Sequence, residues 1–271
     1  MHAKVAFNVH ERGLADGPVL LFAHGYGCDQ NMWRHVAPRF EDRYRVVMFD
    51  YVGAGGARAP YAPDRYSTLQ GYADDVLRIC RELDLADVVF VGHSVSSMSG
   101  VLAQVAAPEL FAALVMVGPS PRYLDDTGYV GGFTASDIDG LLDSLASNYL
   151  GWSSAMAPAI MGNPDRPELG DELEASFCTV DPMIAERFAR ATFLSDNRDD
   201  LAKVTAPTLV LQCQQDIIAP RAVGEYVAEQ VPDSRLVILD ATGHCPQLSA
   251  PDDVVAAIET FLERESRHLL R

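Results

Sequence analysis

The sequence predicts a doubly wound α/β fold: a mostly parallel sheet flanked by helices, with a helical segment inserted between two strands. Three observations predict it. Continuous apolar runs of strand length recur along the chain, the signature of strands buried on both faces. Helical patterns alternate with these runs, as a parallel sheet requires. The alternation then fails once, from Pro119 to about Asn197, where only helical patterns occur. A length of 271 residues suits one core, residues 1–118 and 197–271, carrying one insert, residues 119–196.

Taken in order, Val5 to Val9 alternates loosely and reads as an edge strand, closed by a turn at Asp16-Gly17-Pro18. Buried strands are expected at Val19–Ala23, Arg45–Phe49, Val88–Val91, Leu114–Val117, Thr208–Leu211 and Leu236–Leu239. Helices are expected at Gln30–Phe40, Leu69–Leu83, Val95–Ala106 and Pro251–Leu262, the last with proline in its first turn. On the Leu69–Leu83 helix, Asp75 reads as part of a solvated face. In the insert, four helices are expected near Ser136–Leu150, Ser153–Met161, Glu168–Thr179 and Pro182–Leu194. Such an insert has a natural place as a lid over the strands' carboxyl ends, where folds of this kind bind ligands.

Composition excludes several function classes. A formal charge of −17 disfavours nucleic acid and anionic membrane surfaces as partners. The five cysteines are scattered, with no C-x-x-C pair, so neither a disulfide framework nor a structural zinc site is expected. No run reaches the roughly 20 apolar residues of a membrane span, and the N-terminus has no signal-peptide pattern. A cytoplasmic protein is the expectation. Gly53-Ala54-Gly55-Gly56 lacks both the P-loop lysine and the G-x-G-x-x-G spacing, and no cofactor or metal is expected.

Gly92-His93-Ser94-Val95-Ser96 follows a strand and opens a helix, the setting of a nucleophile elbow. That turn is sharp and needs small flanking residues. Gly92 supplies one, while Ser96 stands where a second glycine is usual. His24-Gly25-Tyr26-Gly27 directly follows another strand, and Asp216 and His244 each follow strands further on. The chain order Ser, Asp, His is that of the α/β-hydrolase fold. The chemistry explains the residue types. A serine hydroxyl needs a base, an imidazole titrating near about pH 6.5 can serve, and a carboxylate holds its tautomer. Ser94, His244 and Asp216 are therefore the candidate catalytic residues, with the backbone amides of Tyr26 and Val95 as the candidate oxyanion hole. Asp240, nearer His244 in sequence, is the alternative orienting acid. His24 and His93 read as structural, His2, His10, His35 and His268 as surface residues, and Ser97 and Ser99 as local packing or capping groups.

Several segments resemble the RsbQ-like branch of the α/β-hydrolases, bacterial stress-signalling proteins related to the plant karrikin and strigolactone receptors. They are His24 to Gln30, Phe49 to Gly53, Gly92 to Ser96, Pro108 to Phe111, Gly118 to Leu124, Gly131 to Phe133, Asn148 to Trp152, Asp216 to Pro220 and Gly243 to Pro246. Val95-Ser96-Ser97-Met98 looks more like the plant receptors, the insert and the Asp216 loop more like RsbQ. The resemblance implies a four-helix lid over a small hydrophobic cavity lined by Tyr26, Phe133, Trp152, Met156, Phe193 and Ile218. It implies slow hydrolysis of a small hydrophobic ester or lactone. It also implies a signalling role, with a PAS-domain serine phosphatase as partner. Serine at position 94 excludes a dehalogenase, which needs a carboxylate nucleophile. Cofactor-free haloperoxidase or perhydrolase chemistry uses the same three residues and stays open.

Overall fold

Along β2 (Val19–Ala23) successive side chains enter opposite cores. Leu20 and Phe22 face one, Val19, Leu21 and Ala23 the other, which is why the run carries no polar residue. The chain, a computed structural model describing residues 1–269 with side chains through Glu265, begins with α1 (Ala3–Ala6) and β1 (His10–Gly13). After β2 come β3 (Arg45–Met48), α2 (Leu69–Glu82), β4 (Val88–His93), α3 (Val95–Ala106) and β5 (Phe111–Val117). The insert holds α4 (Ala135–Ser147), α5 (Tyr149–Met161), α6 (Pro167–Phe177) and α7 (Pro182–Phe193). The core resumes with α8 (Arg198–Leu201), β6 (Thr208–Gln215), α9 (Arg221–Gln230) and β7 (Ser234–Thr242), then α10 (Pro246–Ser249) and α11 (Pro251–Leu269).

The seven strands lie in the order β1-β3-β2-β4-β5-β6-β7, with β1 antiparallel to β3 and every other pair parallel. Register brings the strand ends level: Ala23 pairs with Gly92, His93 with Val117, and Val117 with Leu211. β6 runs on to Gln215, beside Thr242 of β7. Because β3 lies on one side of β2 and β4 on the other, the connections leaving β2 and β4 diverge. They open a crevice at the carboxyl edge, the place where such sheets bind ligands.

Four expectations are corrected. Val5 to Val9 is not a strand. Ala3, Ala6 and Phe7 are buried at helical spacing, Glu82 accepts the Ala3 amide at 2.6 Å, and the edge strand starts only at His10. Gln30 to Phe40 is two 3₁₀ turns, Gln30–Trp33 and Ala37–Phe40, the second with Pro38 in its first turn. Asp75 is buried rather than solvated, accepting from Arg65 Nη2 at 2.6 Å and the Tyr66 hydroxyl at 2.9 Å. Burial holds its pKa above the usual carboxylate value even with Arg65 beside it. The first insert helix ends before Asn148, whose backbone leaves the helical region and whose side chain caps α5 by accepting the Gly151 amide.

The insert lies across the carboxyl edge. The ring of Tyr26, just past β2, meets Trp152 of α5, Phe177 of α6, and Phe188 and Phe193 of α7, at centroid distances of 5.7–6.4 Å. No described helix is long and apolar enough to cross a membrane. His2, His10 and His35 are exposed, and the side chain of His268 lies outside the described residues.

Candidate active site

Ser94 sits at the turn from β4 into α3 with φ +55° and ψ −123°, a conformation an L-residue rarely holds. Its neighbours enforce it. The Ser94 amide donates to the Val117 carbonyl at 2.8 Å, while its own carbonyl accepts from Ser97 at 2.9 Å. A Cβ at Gly92 would fall 2.8 Å from the Ser96 backbone, so glycine is required there. Ser96, in place of the second glycine, is buried and donates its hydroxyl to the His24 carbonyl. The extra atoms are thus used to join the elbow to the loop after β2. Ser97 donates to the Gly92 carbonyl at 3.0 Å and Ser99 is buried on the same helix.

His244 Nε2 lies 2.7 Å from Ser94 Oγ, and its Nδ1 lies 2.7 Å from Asp216 Oδ2. An ionised carboxylate can only accept, so Nδ1 carries the proton and Nε2 faces the serine as acceptor. Asp216 Oδ1 takes the Ile218 and Ala219 amides at 2.8 and 3.1 Å. Burial raises the Asp216 pKa, but His244 and the two amides outweigh it and hold the carboxyl below its usual range. The His244 backbone is fixed at both ends: its amide donates to Ile160 of α5 at 2.9 Å, and its carbonyl accepts from His93 Nε2 at 2.8 Å. Gly243 at φ +92° has the Met161 carbonyl where a Cβ would stand, 1.9 Å away. Asp240, the alternative acid, is exposed, and Asp216 is the carboxylate on His244.

His24 and His93 are buried and hold backbone. His24 Nδ1 donates to the Gly25 carbonyl at 2.8 Å while Nε2 accepts the Tyr51 amide at 3.0 Å. Desolvation lowers both pKa values, that of His93 to about 3.

Ser94 and His244 open into a cavity of about 40 Å³. Of the six residues that the resemblance assigned to a cavity, Tyr26, Trp152, Met156, Phe193 and Ile218 line this one. Phe133 does not. It packs behind Phe193, ring centroids 6.4 Å apart, one layer out from the cavity. Sequence reasoning missed Tyr123, Phe177, Cys28, Cys245 and Thr192 among the lining residues. The Tyr123 hydroxyl lies beside that of Ser94, and burial pushes its pKa up. Its position soon after β5 was the available signal. Burial pushes the Cys28 thiol up to about 12 and raises Cys245 as well, so neither supplies a thiolate to compete with the serine.

Residues 20–258 match the alpha/beta hydrolase family. The chain belongs to that family. Among its relatives, the "Karrikin insensitive 2 receptor CA" of Petunia hybrida is 40% identical over 93% of this chain and 94% of its own. "Strigolactone esterase D14" of Arabidopsis thaliana is 38% identical over 96% of each. The structure of olei00960, a hydrolase from Oleispira antarctica, superposes with a TM-score of 0.93 at 39% identity, covering 96% of both chains. For a hydrolase of this family, a serine, an imidazole and a carboxylate in one hydrogen-bonded row can carry nucleophilic acyl transfer.

Proposed function

We propose that this chain hydrolyses a small, largely apolar ester or lactone through an acyl-enzyme on Ser94. The observation that carries the reading is the continuous row Asp216–His244–Ser94 opening into a small cavity walled mainly by apolar side chains. In this reading Ser94 Oγ attacks the carbonyl carbon as its proton passes to His244 Nε2. The Tyr26 and Val95 amides stabilise the oxyanion, worth roughly 2.7–4 kcal/mol per donor. Collapse expels the alcohol, or the ring oxygen of a lactone, which takes the proton from His244. Water activated by the same imidazole then frees the acid. Asp216 keeps the tautomer and offsets the charge on the imidazolium. The test is mass-shift labelling by a serine-directed phosphonate. The intact protein is expected to gain one adduct at Ser94 and the Ser94→Ala variant none; an unlabelled intact protein overturns the reading.

A second reading is favoured by the relatives named as receptors: an RsbQ-like cytoplasmic signalling protein whose lid closes on a hydrophobic ligand and regulates a partner such as a PAS-domain serine phosphatase. A complex with such a phosphatase that persists in Ser94→Ala would support it. Loss of the complex in that variant would tie partner binding to turnover.

A further inference from the structure

The inward stripe of α7 runs Ala185, Phe188, Ala189, Thr192, and Thr192 is its one polar member. Thr192 is 1% exposed and lines the cavity together with Ser94 and His244. Its Oγ1 has no hydrogen-bond partner among the described residues. A buried helical hydroxyl ordinarily satisfies itself on the carbonyl four residues back. Ser153 of α5, equally buried in the same insert, does so on Tyr149 at 2.8 Å. Thr192 does not bond back to Phe188, although that carbonyl is within the reach of its side chain by helix geometry. A hydroxyl left unpaired in such a place weakens folding unless something else meets it.

We infer that Thr192 is a specificity-determining residue that hydrogen-bonds a second oxygen of the substrate, one outside the reacting ester or lactone group. This rests on the hydrolase reading above and narrows its substrate class. The preferred acyl group is short and carries a hydroxyl, ether or carbonyl oxygen, which a threonine hydroxyl can meet as donor or as acceptor. An all-hydrocarbon acyl group of the same size fills the cavity but leaves Oγ1 unpaired, and discrimination follows from that loss.

The experiment compares Thr192→Val with the parent protein on 4-nitrophenyl butyrate, its methoxyacetyl isostere and its 3-hydroxybutyryl counterpart. The substitution keeps the shape and removes only the hydroxyl. For at least one oxygenated ester the loss of kcat/KM is expected to exceed any change on butyrate by about tenfold, the worth of one neutral hydrogen bond. Parent-to-variant ratios equal within about twofold on all three esters overturn the inference. Thermal denaturation supplies the independent check. Replacing an unpaired buried hydroxyl with a methyl group should leave Tm unchanged or raise it. A lowered Tm would mean that the hydroxyl has a structural partner, and the inference would fall. Phosphonate labelling of the same samples separates this from the underlying reading. Labelled protein with equal ratios sinks only the role of Thr192, whereas unlabelled protein that turns over none of the esters sinks both.

Discussion

On the sheet side of the cavity each member of the Asp216–His244–Ser94 row has a named partner: the Ser94 amide on Val117, the His244 carbonyl on His93, Asp216 on two amides. On the insert side the cavity wall is Trp152, Phe177 and Phe193 in ring contact with Tyr26, and polar ties between insert and core run to backbone groups, the His244 amide donating to Ile160 and the Ser176 hydroxyl to Gly27. The difference assigns the two regions different work. Directional bonds fix atoms to a few tenths of an ångström, which the proton transfer proposed between Ser94 and His244 needs. Packed rings fix volume and shape while tolerating substitution of similar size, which suits selection among acyl groups.

The most severe break of this comparison lies at Asp216. Asp216→Asn preserves size but offers His244 Nδ1 a group able to present either an acceptor or a donor, so the productive tautomer is no longer enforced. A fall in kcat on the order of 10⁴-fold is expected, by analogy with the same change in a serine protease. Asp240→Asn, on an exposed position of β7, should stay within about twofold. Steady-state kinetics on one aryl ester reads both, and comparable losses in the two variants would undo the assignment.

How much of this was legible in the sequence divides along the same line. The strands could be read because both faces of the sheet are buried, leaving uninterrupted runs such as Val19 to Ala23. Ser94, Asp216 and His244 could be read because each follows a strand, and parallel register brings strand ends together. Residues whose environment depends on distant chain could not be read so well. Asp75 looked solvated because its partner Arg65 comes from the connection before α2, outside any helical period. Phe133 was placed in the cavity, but the packing of its loop sets it behind Phe193. Thr192 was missed, because one threonine on a helix of mixed composition does not by itself mark a cavity wall. That its hydroxyl does not turn back on its own helix is a fact of side-chain geometry alone.

Acid should expose the weakness of the sheet side, since its order depends on buried neutral imidazoles. The folded-state pKa of His93 is about 3, below the value near 6.5 that it takes in the unfolded chain. Between those values the unfolded state binds a proton that the folded state refuses. Stability is therefore full above about pH 6.5 and falls as pH drops toward 3, by up to about 1.4 kcal/mol per unit for this one group. His24, also lowered, adds in the same direction. Urea unfolding at stepped pH should show the slope, and His93→Asn should reduce it while retaining a side-chain donor for the His244 carbonyl. An unchanged slope in the variant would locate the acid sensitivity elsewhere.

The smallest effect is expected where the two regions are joined. Tyr26 belongs to the loop proposed to hold the oxyanion, yet its hydroxyl donates to the Ala185 carbonyl of α7 at 3.1 Å. The next residue, Gly27, accepts from Ser176 of α6 at 2.8 Å. The insert thus grips the loop at two successive residues. Tyr26→Phe removes one bond of that grip and leaves every ring contact, a change worth about 1 kcal/mol. If the grip only adds stability, the variant loses a few degrees of Tm and its kcat is unaltered. If it sets the position of the Tyr26 amide, kcat should fall about fivefold with KM little changed, because the loss is felt only when the oxyanion forms. The second outcome is expected, since the hydroxyl fixed to α7 and the amide proposed for the oxyanion hole belong to the same residue, and a shift in one moves the other.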